Sequence, residues 1–247
     1  MKAAESERYW DERARENALF YVDNQLEYDD PDTEAFWQRG EEVVQLMLDM
    51  AGLDIRRDEM VVDIGCGVGR LTRALSARAG RVYGLDVSRE MLRLAAQHNA
   101  MLENVEWVHG DGASLGGIDD ASVDGCFSHV VFQHIPDPET TLAYVRDMGR
   151  ALRPGGWALF QVSTDPSVHR PRRLGLWGRA RRLVRGRSRR AHRAWWGSAV
   201  DPAALRTAAA DGGLDVEQVH DEGSQYTTVL VRRPAPGYQA RAATISP

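Results

Sequence analysis

Cysteine is scarce in this chain. Only Cys66 and Cys126 occur in 247 residues, both in apolar, strand-like surroundings. Two such thiols build no disulfide framework, and free thiols in a reducing compartment are expected. Long apolar runs are also missing, and a bilayer needs about 20 consecutive apolar residues. The opening stretch, Met1–Trp10, is charged and unlike a secretory leader. These absences point to a cytoplasmic protein. No segment recurs at a fixed period, which argues against repeat architectures. Lysine is rare beside arginine, a bias of base composition that says nothing about chemistry.

What is present is 43% hydrophobic residues, enough for one α/β domain with a large core. The chain is organised around Met60–Arg70, M-V-V-D-I-G-C-G-V-G-R. A short apolar run ends at Ile64, and Gly65, Gly67 and Gly69 follow. Leu71, Ala74 and Leu75 then recur on one helical face. This reads as strand, tight turn and helix start. Glycine suits a backbone that turns sharply and lets a ligand approach closely. The helix N-terminus behind it offers unpaired N–H groups to an anion.

Spacing separates this turn from a dinucleotide fingerprint. That pattern needs G-x-G-x-x-G, whereas here the third glycine comes one residue early and Arg70 stands in its place. Asp63 lies inside the strand, two residues before the first glycine. The resulting D-x-G-x-G-x-G resembles motif I of the class I S-adenosylmethionine-dependent methyltransferases, in the small-molecule branch typified by the type 11 methyltransferase domain. The resemblance implies S-adenosyl-L-methionine as cofactor. It also implies a Rossmann-like, doubly wound α/β fold with a seven-stranded sheet of order 3-2-1-4-5-7-6, its last strand antiparallel, flanked by helices. Asp63, Gly65, Cys66, Gly67, Gly69 and Arg70 would then belong to the cofactor site. Arg70 has two readings, a partner for the cofactor carboxylate or a solvated side chain.

Later motifs fall at matching distances. Arg81–Leu85 reads as the second strand and ends at Asp86, about twenty residues beyond the glycines, where doubly wound folds place an acid on ribose hydroxyls. A carboxylate can accept two charge-assisted bonds from a cis-diol. Asp86 could instead cap the next helix, with Ser88 as the competing cap. Val87 adjoins the acid, and Met91 either touches adenine or only fills core. The third strand, Val105–Gly110, leads to Asp111 and Gly112. The resemblance puts an acid here on the adenine amine and the next backbone on the ring. The alternative is a turn aspartate in a D-G loop.

Val123–Val131 reads as strand four, followed by the loop Phe132–Asp137 and a helix from Pro138. Leu152–Gly156 ends that helix, and Trp157–Val162 is strand five. His129 and His134 are the candidate general bases for a hydroxyl acceptor, since imidazole titrates near neutrality. His134 is preferred because the family often carries a histidine at this point of the loop. Both have a structural reading as well. Gln133 is placed at the methionine end of the cofactor, and His129 is counted among the cofactor-binding residues as well.

The ends of the chain carry no motif of this specificity. Residues 1–52 hold Tyr9, Trp10, Phe20, Tyr21 and Tyr28 on an otherwise charged background, then a helix from Asp32 or Thr33 to Ala51 closed by Gly52. They read as a helical cap that docks on the domain, closes over the site, or does both. Residues 53–163 are the cofactor-binding core. Residues 164–200 form an insertion in which His169–Arg193 holds eleven arginines and no acid. It reads as a solvated insertion, a lid over an anionic acceptor, or a surface for membrane or nucleic-acid phosphates. Residues 201–233 supply a helix and the closing strands, and residues 234–247 read as a flexible tail.

Three absent patterns narrow the acceptor. The loop after strand four reads S-H-V-V-F-Q, without the Asn/Asp-Pro-Pro-aromatic signature of base-nitrogen methylation. No Pro-Cys pair marks cytosine-C5 chemistry, since Gly125 precedes Cys126. No acid pair resembles that of the metal-dependent catechol enzymes, so no metal is expected. The favoured function is methylation of a hydroxyl, amine or activated carbon on a small molecule, of a natural-product or sugar type and possible anionic character. The alternatives are an RNA methyltransferase tracking phosphates along the arginine segment, and a cofactor-binding module without turnover.

Overall fold

The computed structural model describes residues 3–169, 197–235, 237 and 244–246. The arginine-rich stretch, and every reading attached to it, lies outside the described residues.

Two helices open the chain, α1 (Ala3–Val22) and α2 (Thr33–Ala51). Helix α1 is broken at Asn17, whose φ of −167° and ψ of 85° are not helical. The Asn17 amide compensates by donating to the Tyr28 carbonyl and accepting from the Phe20 N–H. Asp32 caps α2 by accepting from the Ala35 N–H, and Gly52 ends it in the left-handed conformation.

The core alternates strands and helices: β1 (Met60–Ile64), α3 (Arg70–Ser76), β2 (Arg81–Asp86), α4 (Arg89–His98), β3 (Val105–His109), β4 (Val123–Ser128), α5 (Pro138–Ala151) and β5 (Leu152–Val162). Helix α6 (Pro202–Asp211) and strands β6 (Asp215–His220), β7 (Thr227–Arg232) and β8 (Thr244–Ser246) close it. The sheet order is β3-β2-β1-β4-β5-β7-β6-β8. Strand β7 runs antiparallel to both β5 and β6. The first seven strands thus stand in the expected order.

Three expectations need correction. Strand β4 stops at Ser128 rather than Val131, because Val130 adopts a positive φ of 57° that no strand accommodates. Strand β5 starts at Leu152, so the P-G-G segment is an irregularity between β4 and β5 rather than a turn before the strand. The tail contributes a short strand, β8, parallel to β6, where only flexible chain was expected.

Strand β1 is buried on both faces, as a central parallel strand must be. Val62 and Ile64 face a cluster with Leu142, Val145, Phe160 and Leu205. Val61 faces the opposite cluster with Met47, Leu75, Phe127 and Leu159. Each fully buried aliphatic or aromatic side chain contributes about 1.5–3 kcal/mol. A third, smaller cluster joins Ala14, Ala18, Phe36, Val68 and Met91. It fastens the broken helix α1 across the carboxyl ends of the strands.

Polar contacts complete that attachment. Asp11 Oδ1 accepts from the Ser88 hydroxyl at 2.6 Å and from the Glu90 N–H at 3.0 Å. Helix α1 therefore brings a carboxylate to the N-terminus of α4, where orphan donors and the helix dipole favour negative charge.

Candidate active site

The strand order reverses between β1 and β4, and a crevice opens there beyond the carboxyl ends, as expected for open α/β sheets. The Ser128 hydroxyl donates to the Ile64 carbonyl at 3.0 Å and ties the two strand ends together. The glycine turn leaves β1 at this point. Gly65, Gly67 and Gly69 all have positive φ, at 74°, 54° and 84°. The N–H groups of Gly65 and Cys66 both donate to the Leu85 carbonyl, at 2.7 and 3.0 Å, so the turn is pinned to β2.

A cavity of about 150 Å³ occupies the crevice. Of the expected site residues, Asp63, Gly65, Cys66, Gly67, Arg70, Asp86, Val87, Met91, Gly112, His129 and His134 line it. Gly69, Asp111 and Gln133 do not. A Cβ on Gly69 would lie 2.6 Å from the Trp107 ring, so this glycine serves the packing of turn against strand. The Asp111 carboxylate accepts from the N–H groups of Ala113 and Ser114 and from the Ser114 hydroxyl. It closes its own loop. Gln133 faces a second, larger cavity.

Asp86 is well placed as an acceptor. Its Oδ2 takes the Gly67 N–H at 2.9 Å and its Oδ1 takes the Ser88 N–H at 2.8 Å. Ser88, not Asp86, caps α4 by accepting from the Met91 N–H. The Val87 N–H also faces this carboxylate, which retains acceptor capacity for a ribose hydroxyl. Burial raises the Asp86 pKa, opposed by those backbone N–H donors.

Asp63 points from β1 toward α3 and accepts from the Thr72 hydroxyl at 2.6 Å. It is 1% exposed, and desolvation lifts its pKa to about 7. The folded state therefore holds a proton here that the unfolded chain releases near pH 4. Stability contributed by this group is full below the unfolded pKa and is lost as pH rises through about 7. Asp63→Asn keeps an acceptor for Thr72 and removes the titration. The parent should lose up to ~1.4 kcal/mol per pH unit relative to this variant between pH 5 and 7. Urea midpoints across that range measure it; parallel pH profiles would refute the assignment.

Arg70 is neither solvated nor free. It is 7% exposed, its Nη1 lies 3.4 Å from Asp23, and its guanidinium sits 5.7 Å from the Phe36 ring centroid. Arg39 pairs with the same Asp23 oxygen at 2.9 Å. Arg70 Nε is buried and has no partner among the described residues. A buried guanidinium with a spare donor, lining the crevice, suits a carboxylate.

The loop after β4 carries the most unusual backbone. Val130 is β-branched and has a positive φ of 57°, an arrangement that costs about 1–3 kcal/mol. It lies between His129 and Val131, and all three line the crevice. His129 is largely buried, its Nδ1 has no partner among the described residues, and burial beside Arg70 lowers its pKa to about 4. It is therefore neutral at physiological pH. The His134 ring packs edge-on to Trp10, with centroids 6.0 Å apart. Both cysteines are buried and free. Burial raises both thiols, so neither is a ready nucleophile.

Sequence reading missed several lining residues. Trp10 and Tyr21 were among the aromatics flagged near the N-terminus, and both reach the crevice. Ser6, Val22, Val130, Val131, Ile135 and Tyr144 carried no comparable signal, although they line it too.

A strand–glycine turn–helix crevice, an acid at the end of β2 and a switch point between β1 and β4 define an α/β protein built to hold a nucleoside-bearing ligand. Comparison with known proteins bears on the core. The methyltransferase domain family matches residues 62–160, which supports a member of the class I S-adenosylmethionine-dependent methyltransferases. It is similar to the demethylmenaquinone methyltransferase of Staphylococcus epidermidis, with 33% identity over 122 residues, 48% of this chain and 49% of the relative. An uncharacterised 37.1 kDa protein in transposon Tn4556 of Streptomyces fradiae is 41% identical over 115 residues, 45% of this chain and 31% of that protein. The chain thus spans half or less of the length of these two relatives. Among solved structures, the DhpI–S-adenosylhomocysteine complex superposes with a TM-score of 0.58 and 26% identity, covering 95% of this chain and 97% of that one. A putative methyltransferase complexed with the Trm112 activator of Haloferax volcanii gives 0.59 at 22% identity, covering 88% and 97%, which speaks to the fold alone.

The crevice fits the family's cofactor, S-adenosyl-L-methionine. Asp86 offers acceptors for a diol, Arg70 a spare buried donor for a carboxylate, and Gly65 and Gly67 a floor without side chains. Among the described residues no group of three or more His, Cys, Asp or Glu is arranged to hold a metal ion. No described helix is long and apolar enough to cross a membrane.

Proposed function

We propose that this protein transfers a methyl group from S-adenosyl-L-methionine to a small-molecule acceptor, at a hydroxyl, amine or activated carbon. One observation carries the proposal. The crevice shares a wall with a second cavity of about 900 Å³, and Trp10, Tyr21, Val22, Arg70, His129, Val130 and His134 line both. Two adjoining chambers with a common wall of aromatic and imidazole groups suit a donor and an acceptor held side by side.

Bound in the crevice, the cofactor supplies an electrophilic methyl group on a sulfonium. The chain's own work is then mainly alignment of nucleophile, methyl carbon and sulfur. Asp86 anchors the ribose, Arg70 the carboxylate, and Gly65 and Gly67 admit the cofactor to the backbone. Helix α1 acts as a lid that excludes water, through Trp10 and Tyr21. His134, or the neutral His129, receives the proton of a hydroxyl acceptor. The sequence-derived acceptor classes stay open in this reading, including an anionic one.

Calorimetry with S-adenosylhomocysteine tests the cofactor, and its release from S-adenosylmethionine over a panel of phenols and amines tests turnover. His134→Ala should lower turnover by about 10²–10⁴-fold, the usual span for a general base, while cofactor affinity stays within about threefold. If His129→Ala alone gives that loss, the base is His129. Unchanged turnover in both variants would remove base catalysis from this loop. Absence of turnover with intact cofactor binding would instead favour a binding module. Salt-dependent RNA binding would favour the RNA reading.

A further inference from the structure

The larger chamber contains a feature that the cofactor does not explain. Gln133, in the short 3₁₀ turn Phe132–His134, is 2% exposed, and neither its amide nitrogen nor its amide oxygen has a partner among the described residues. Leaving a buried donor or acceptor unpaired costs about 1–3 kcal/mol for each group. An apolar side chain of the same size would avoid that cost. Gln133 lines the larger chamber and not the cofactor crevice.

Gln161 stands in the same chamber, on β5. Its Nε2 donates to the Thr228 hydroxyl at 3.3 Å, while its Oε1 is buried without a partner among the described residues. The two amides together present one donor nitrogen and two acceptor oxygens. The complementary group is a carbonyl oxygen next to an O–H or N–H donor. Trp10, Phe20, Tyr21 and Tyr226 supply aromatic walls to the same space, which favour a planar ring. The formal charges on the lining cancel: Asp23 and Glu42 against Arg39 and Arg70.

From these observations we propose that the acceptor is an uncharged hydroxyaromatic compound with a carbonyl or carboxamide beside its hydroxyl, read by the amides of Gln133 and Gln161. This rests on the methyltransferase reading of the paired chambers. It corrects the placement of Gln133 at the methionine end of the cofactor and narrows the acceptor from a possible anion to a neutral molecule. Gln133 and Gln161 are specificity residues here, not catalytic ones.

Salicylamide and salicylate separate the alternatives, since they share a ring and a hydroxyl and differ in charge. Each is titrated by calorimetry into the full chain saturated with S-adenosylhomocysteine, and S-adenosylhomocysteine is titrated separately. Salicylamide should bind at least about 10-fold tighter than salicylate, and Gln133→Met should weaken it about 10-fold or more, consistent with two lost hydrogen bonds. Affinity for S-adenosylhomocysteine should stay within about twofold, and the thermal midpoint of ligand-free Gln133→Met should hold or rise, because two buried polar atoms are removed. Gln161→Met should weaken salicylamide to a lesser degree and serves if Gln133→Met does not fold.

Preference for salicylate would overturn the neutral acceptor. No salicylamide binding at millimolar concentration, or equal binding by parent and both variants, would overturn the two-amide site. Loss of S-adenosylhomocysteine affinity in Gln133→Met would return that residue to the cofactor. Failure of the parent itself to bind S-adenosylhomocysteine would sink the methyltransferase reading, and the acceptor assignment with it.

Discussion

Asp86→Ala should weaken binding of S-adenosylhomocysteine by about 100-fold, and Asp86→Asn by about 10-fold. The reasoning begins with charge. A hydrogen bond to an ionised group contributes about 1.5–3 kcal/mol, against roughly 1 kcal/mol for a neutral pair. Each Asp86 oxygen already accepts one backbone N–H, from Gly67 or Ser88. The alanine variant therefore loses its ribose bonding and also releases the second glycine of the turn. The asparagine variant keeps one acceptor for the backbone but faces the other donor with an N–H₂ group. Calorimetry on all three proteins gives the ranking. Equal affinity in parent and alanine variant would remove Asp86 from the cofactor site. A loss confined to thermal stability would reduce it to a brace for the turn.

Much of this architecture was legible in the sequence, for identifiable physical reasons. The apolar run Met60–Ile64 had to be a buried parallel strand, and glycines at two-residue spacing had to be a turn where side chains cannot fit. Asp32 and Ser88 stood as cap candidates for two helices, and each accepts from a backbone N–H of its first turn. What escaped reading depends on contacts distant in sequence. Nothing near Val130 signals a positive φ, because a β-branched residue is disfavoured there. Asp111 looked like its neighbour Asp86, another acid after a strand. Ser114, three residues on, closes the loop around it, a contact the spacing alone did not announce. Arg70 left two readings open, solvated or paired with the cofactor carboxylate; Asp23 and Phe36 from the N-terminal segment enclose it, contacts that no local pattern announces. The aromatics of α1 suggested a cap that docks on the domain or closes over the site, and Trp10 and Tyr21 do line the crevice.

The glycine turn supplies the second large effect, and a double variant separates its causes. Gly65→Ala meets two obstacles. The new Cβ would lie 2.5 Å from both methyl groups of Val131, and the residue must hold φ at 74°. Left-handed backbone costs a non-glycine residue roughly 1–2 kcal/mol, and overpacking adds about 1–3 kcal/mol. Together these predict a loss of about 2–5 kcal/mol in unfolding free energy, together with a collapse of S-adenosylhomocysteine affinity. Val131→Ala removes the clashing methyl groups and nothing of the φ requirement. In the Gly65→Ala/Val131→Ala protein, the packing part should return and the backbone part should remain. The coupling between the two sites, read from urea denaturation of the four proteins, should then be about 1–3 kcal/mol in the stabilising direction. Strict additivity would mean that the loop after β4 does not rest on the turn. In that case the crevice would lack the wall on which both the cofactor and acceptor assignments depend.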